Sequence, residues 1–164
     1  SVPLRSAKAQ RSKVRHMSLI VVGVDGSEQS RRALVWALTN AELMRAVVQA
    51  VMVVDTTGMD APSRTARLRD AERTVAGLVD AAHDVCARPP GVTSTVMEGD
   101  PIEVMLAESR RADLMVFGAR RMTSISNPAL GTVSLACTRD GACPVLVVPE
   151  GVPALQPRAD LVLA

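Results

Sequence analysis

Aromatic side chains are nearly absent from these 164 residues: there is one Phe, one Trp and no Tyr. Proteins that bind single strands stack bases on aromatic rings, and sequence-reading ones present a clustered basic face. Without those platforms, nucleic acid is not an expected partner. Histidine is scarce, with two in the chain, and Cys86, Cys137 and Cys143 are an odd number without paired metal-ligand spacing. A Cys/His zinc site is therefore not expected, and the thiols read as reduced cysteines of a cytosolic protein. No apolar run approaches the roughly 18 residues that a membrane span needs, so no membrane partner is expected. No signal-like apolar region follows the basic start, which argues against secretion. The P-loop pattern Gly-x4-Gly-Lys-Ser/Thr is missing, and so is the dinucleotide fingerprint Gly-x-Gly-x2-Gly after the first apolar run. Both enzyme classes drop out.

What is present is apolar and aliphatic. Hydrophobic residues make up 48% of the chain, so the core has to be built from Val, Leu, Ala, Ile and Met. The length suits one domain with a sizeable core. The net charge of +2 hides an asymmetry. Residues 1–16 hold Arg5, Lys8, Arg11, Lys13 and Arg15 with no acid, which leaves residues 17–164 at −3. That first stretch is aperiodic and is expected to be a disordered basic leader. His16-Met17 is also the dipeptide left by a common cloning junction, so the leader reads either as an expression leader or as a native basic arm. Residues 17–149 form the expected domain, and 150–164 a loose C-terminal tail.

Five apolar runs alternate with four stretches of helical period. Leu19–Val24 is continuous, as in a strand buried on both faces. It stops at Asp25-Gly26-Ser27, where Ser27 predicts an N-cap. Glu28, then Ala33, Leu34, Trp36, Ala37 and Leu38, predict a helix to about Arg45. Val47–Val54 is the second strand, closed by Asp55, and Thr56–Ser63 reads as a loop holding Gly58 and Pro62. Arg64–Ala87 reads as helix, with His83 near its end a surface or satisfied histidine. Pro89-Pro90-Gly91 breaks it. Val92–Val96 is a short strand, and Asp100-Pro101 predicts a capping carboxylate and a first-position proline for a helix to about Arg110. Asp113 leads into the fourth strand, ending at Gly118. A last helix spans about Ala129 to Thr138 or Asp140, Gly141 stops it, and Cys143–Val148 is the fifth strand.

This alternation predicts an α/β fold: a parallel sheet with helices on both faces. Such sheets bind ligands at the carboxyl ends of their strands, where the strand order reverses. The places to look are Asp25, Val53 to Asp55, and Gly118 onward. After Gly118 a polar loop leads to Gly131-Thr132 and a helix. Helix-start N–H groups, a glycine and a hydroxyl can form a phosphate cradle. An ordinary strand-to-helix connection accounts for the same pattern.

Five segments, in this order and spacing, resemble the universal stress proteins over about Met17 to Pro149. They are Ile20-Val-Val-Gly-Val-Asp25-Gly-Ser27, Glu98-Gly-Asp-Pro101, Val116-Phe-Gly118, Leu130-Gly-Thr-Val-Ser134 and Cys143-Pro-Val-Leu-Val-Val148. The resemblance implies five strands in the order 3-2-1-4-5 and, commonly, a homodimer through the fifth strand. One branch of that family binds ATP through Gly-x2-Gly-x9-Gly-Ser/Thr. Here Gly118 fills the first glycine, Gly131-Thr132 the last pair, and Arg121 replaces the middle glycine. In nucleotide-binding relatives the acid after strand one reads adenine and the second strand offers backbone groups to the base. Those roles fall on Asp25 and Val53. A carboxylate can accept from an exocyclic amine, and backbone amides can pair with a base edge. The other reading of Asp25 is a cap for its own helix. The implied nucleotide-binding set is Asp25, Val53, Gly118, Arg120, Arg121, Gly131, Thr132, Val133 and Ser134. If position 121 needs positive φ, a β-carbon there costs about 1–2 kcal/mol. Alternatively, Arg120 and Arg121 supply guanidinium partners for the β and γ phosphates.

The resemblance implies a cytoplasmic, homodimeric stress-response or regulatory protein. It would bind an adenine nucleotide, ATP with Mg as counter-ion, and act by binding rather than turnover. No catalytic residue is expected. A weak ATPase would need a base, an in-line water and a metal ligand, and Asp25 is the one acid placed near the site. A dimeric scaffold that has lost nucleotide binding is the remaining alternative, and Arg121 is its main support.

Overall fold

A run of β-branched residues without polar alternation must bury both of its faces. Ile20, Val21 and Val22 accordingly sit at 0% exposure in the middle of the molecule. The computed structural model describes residues 18–86, 91–119 and 131–150. In it these three residues belong to β1 (Ser18–Gly23). The chain continues through α1 (Glu28–Met44), β2 (Ala46–Val54), α2 (Ala61–Asp84), β3 (Val92–Glu98), α3 (Pro101–Ser109), β4 (Leu114–Gly118), α4 (Thr132–Asp140) and β5 (Val145–Val148). All neighbouring strands pair in parallel, in the order β3-β2-β1-β4-β5. This is the expected α/β sheet. Among the described residues, no helix is long and apolar enough to cross a membrane.

Successive strand residues face opposite sides of the sheet. Ile20, Val22, Val48, Ala50 and Val116 join Leu34 and Leu38 of α1 and Val75 of α2 in one core cluster. Val21, Val51, Met115 and Phe117 join Met105 of α3 and Cys137 of α4 in the other. Burying a side chain such as Leu34 stabilises the fold by about 1.5–3 kcal/mol. The chain steps outward from β1 to β3, then returns through α3 to place β4 on the other side of β1. Strand order therefore reverses between β1 and β4, and a crevice opens at their carboxyl ends.

Helix α1 starts as read: Ser27 Oγ accepts from Ser30 N at 3.2 Å. It closes at Arg45, which takes φ 50°. Other boundaries differ. The segment Thr56–Ser63 is not all loop, because α2 begins at Ala61 and ends at Asp84, short of Ala87. Asp60 Oδ1 accepts from Ser63 N at 2.8 Å, and Pro62 sits in the first turn, where its missing N–H costs nothing. Strand β3 runs on to Glu98, because it pairs with β2 as far as Val54. Strand β5 starts at Val145 rather than Cys143, since Pro144 has no N–H to give. The Pro144 carbonyl still accepts from Met115 N at 3.0 Å. The expected start of the last helix at Ala129, the leader 1–16 and residues 151–164 of the tail lie outside the described residues. His83 is half-buried, and among the described residues its Nε2 is buried without a hydrogen-bond partner. The expectation of a satisfied histidine does not hold for that atom.

Candidate functional site

At the carboxyl ends of β1, β2 and β4 lies a cavity of about 490 Å³. Its walls bring together Asp25, Val53, Gly118, Gly131, Thr132, Val133 and Ser134 from the expected set. Arg120 and Arg121 lie outside the described residues. Among the described lining residues, Asp25 is the one with a carboxylate, and none carries a basic side chain.

Asp25 is exposed, on the turn between β1 and α1. Its Oδ1 accepts from Ser27 N at 2.9 Å, and its own N–H donates to Ser30 Oγ at 3.4 Å. Ser30 Oγ in turn donates to Ser27 O at 2.9 Å. The carboxylate thus braces the turn, while Ser27 caps the helix. Gly26 is required between them, because its φ of +86° strains any residue with a β-carbon. The N-terminus of α1 is closed by its own serines.

The N-terminus of α4 is different. Its N-cap is Gly131, which has no side chain to offer, and no side-chain cap bond forms there. The first intrahelical bond runs from Leu135 N to Gly131 O at 2.9 Å. The N–H groups of Thr132, Val133 and Ser134 precede that bond, so the helix itself gives them no acceptor. The Val133 side chain packs into the core, and Ser134 Oγ donates back to Gly131 O at 3.0 Å. At these two positions the backbone, not the side chain, is what can meet a ligand. A helix start of this kind favours an anion.

Val53 supplies the opposite wall. The β1–β2 ladder ends where Val24 N donates to Val51 O at 2.9 Å. Backbone groups alternate along a strand, so those of Val53 lie on the same edge of β2, beyond the end of β1. A donor and an acceptor on that edge suit the edge of a heterocycle.

Gly118 has a packing reason to be glycine. A β-carbon there would lie 2.1 Å from Gln29 O, in the backbone of α1's first turn. The close approach of β4 to α1 excludes a side chain with or without an anion nearby. Gln29, Pro101, Met105 and Phe117 also line the cavity and were not among the sequence candidates. Pro101 could have been found, because a helix that follows a parallel strand starts at the carboxyl edge of the sheet. Phe117, beside Gly118 at the carboxyl end of β4, could have been found too, whereas Met105 could not, because its place depends on how α3 packs.

The thiols belong to other surroundings. Cys137 is buried in α4, and that burial pushes its thiol up to about 11. Burial also raises Cys143. Among the described residues, no group of three or more His, Cys, Asp or Glu could hold a metal ion.

The family model of the universal stress proteins matches residues 17–149. A universal stress protein of Mycobacterium bovis is 30% identical over 166 residues, a match that covers 88% of this chain and 52% of the relative. The chain thus spans about half the length of the curated relatives it matches. The universal stress protein UspA of Lactobacillus plantarum has a similar fold, with a TM-score of 0.64 at 22% identity, over 80% of this chain and 97% of that one. A universal stress protein solved in complex with cAMP superposes with a TM-score of 0.54 at 26% identity, over 81% of this chain and 97% of that one. On the strength of its match from residue 17 to 149, the chain belongs to the universal stress protein family.

Proposed function

We propose that this chain binds an adenine nucleotide in the cavity between Asp25, Val53 and the start of α4, and acts in stress response or regulation by binding rather than turnover. The observation that carries the reading is the pairing of two unlike walls in one cavity. One wall offers a strand edge and a carboxylate, suited to a base; the other offers helix-start amides, suited to a phosphate. The related structure with cAMP supports the same ligand chemistry. The proposed ligand set is Asp25, Val53, Gly118, Arg120, Arg121, Gly131, Thr132, Val133 and Ser134, with ATP as the nucleotide and Mg as its counter-ion. The proposed setting is the cytoplasm, and the proposed assembly a homodimer. Turnover has little to support it, because Asp25 is the one carboxylate among the described lining residues and already braces a turn.

Calorimetry with ATP, AMP and cAMP tests the reading. Asp25→Ala should weaken binding by about 1–3 kcal/mol, the scale of one hydrogen bond to a charged group. Gly131→Glu should abolish it. Gly131 has φ −61° and ψ 157°, so the backbone accepts the new residue while its carboxylate competes for the amides. Arg121→Gly separates a clamp, where affinity falls, from an obstruction, where it rises. If neither the parent nor Arg121→Gly binds any of the three nucleotides, the dimeric scaffold replaces this reading.

A further inference from the structure

Beyond Val51 the β2 strand has lost its β1 neighbour, so the edge carrying Val53 is supported from the β3 side alone. That support ends at Glu98, which faces Val54 across the ladder. Glu98 is not merely the last strand residue. Its carboxylate accepts from Thr56 Oγ1 at 2.6 Å and from Arg64 Nε and an Arg64 terminal nitrogen at 2.5 and 2.6 Å. Thr56 lies two residues past the end of β2, and Arg64 is in the first turn of α2. Three donor contacts from two segments leave the carboxylate one orientation.

The chain on the other side of Glu98 also enters the cavity wall. Gly99 takes φ +141°, which no other residue adopts without strain, and its N–H donates to Val54 O at 3.1 Å. That turn delivers Asp100, whose carboxylate caps α3 by accepting from Glu103 N at 3.0 Å. Pro101 and Met105 of α3 then line the cavity. Glu98 therefore joins the strand edge at Val53 to the wall at Pro101 and Met105. The ion pair is partly in solvent, with side-chain exposures of 55% for Arg64 and 30% for Glu98. An ion pair so exposed adds little to global stability. What it supplies is position, and hydrogen bonds to a base edge weaken steeply when donor and acceptor are misplaced.

We propose that Glu98, held by Arg64 and Thr56, is a positioning residue that sets the preference of the cavity for one purine base over another. This rests on the adenine-nucleotide reading of the cavity. Glu98 touches no ligand in this scheme; it acts through the place it gives to Val53 and to the start of α3. The Arg64 guanidinium keeps its carboxyl at about 2, so the cluster stays ionised across the neutral range and does not act as a pH switch there.

The test compares the parent with Glu98→Gln, Arg64→Met and Arg64→Lys, using AMP, IMP and ribose 5-phosphate as calorimetric probes. The parent should prefer AMP to IMP by about tenfold, the scale set by one well-placed hydrogen bond. Glu98→Gln and Arg64→Met should compress that preference to about threefold or less. Ribose 5-phosphate affinity should stay within about twofold, because its anchor at α4 is untouched, and Arg64→Lys should restore part of the preference. An unchanged preference, or a parallel loss for AMP and ribose 5-phosphate, overturns the proposal. A second measurement needs no ligand. Amide exchange over residues 53–57 should be about tenfold faster in Glu98→Gln, while the thermal midpoint stays within about 2 °C. Unchanged exchange refutes the positioning role even if nucleotides bind. A parent that binds neither AMP nor IMP overturns the adenine reading, and base selectivity falls with it.

Discussion

At the scale of single residues, the two glycines of the proposed phosphate motif have unlike tasks. Gly118 is held by packing, because a β-carbon would meet the Gln29 carbonyl at 2.1 Å. That obstacle is backbone inside a helix turn and cannot swing aside. Gly118→Ala should therefore destabilise the fold by about 1–3 kcal/mol, the usual cost of overpacking. Urea denaturation followed by circular dichroism measures it, and a loss below about 0.5 kcal/mol would mean that α1 and β4 part easily. Any affinity lost in that variant reports on the fold before it reports on phosphate. Gly131, with φ −61°, is the cleaner probe of the proposed anion site, since its backbone accepts a side chain without strain.

At the scale of elements, the start of α2 is tethered by carboxylates, and acid should release it. Asp60 caps the helix, and its hydrogen bond from Ser63 lowers its pKa. Glu98 receives Arg64 and Thr56 and is lowered to about 2 from 4.5. A carboxyl depressed in the folded state contributes stability that is present above its unfolded pKa and is lost as pH falls through the folded one. The contribution of Glu98 is therefore complete above about pH 5 and lost progressively toward pH 2. Thermal midpoints between pH 7 and pH 2 should fall for both proteins, and the parent should fall further than Glu98→Gln by about 2 °C or less, the scale of so exposed an ion pair. A wider gap would show that the Arg64 contact carries global stability and not only position. Both groups are open to solvent, so added salt should also flatten the difference.

At the scale of the whole molecule, the sheet has two free edges among the described residues, β3 and β5. The carbonyls of Pro144 and Val148 accept from β4, at Met115 and Ala119. By alternation, the N–H groups of Val145 and Val147 point away from β4, along the open edge. Such an apolar edge invites a second strand, and a two-fold axis lets the same strand pair with itself. Val147→Pro should remove an outward donor without breaking the ladder to β4. Sedimentation equilibrium should show the homodimer proposed above weakening to monomer; an unchanged dimer mass would move the interface elsewhere. Local stretches of chain were enough to read the alternation of strands and helices, the Ser27 and Asp100 caps and the end of the sheet at which the cavity opens. Each of these is written in residues within a turn or two of one another, where periodicity and side-chain capping act. Even there a local reading misses the start of α2, because Asp60 and Pro62 resemble loop residues until the capping bond is drawn. It took the packed fold to make Gly118 answer to Gln29, to let Val53 outlast its β1 partner, and to let Glu98 gather Thr56 and Arg64 from 42 and 34 positions away. Those contacts depend on how layers pack and where a ladder stops, and no local stretch of chain carries that information.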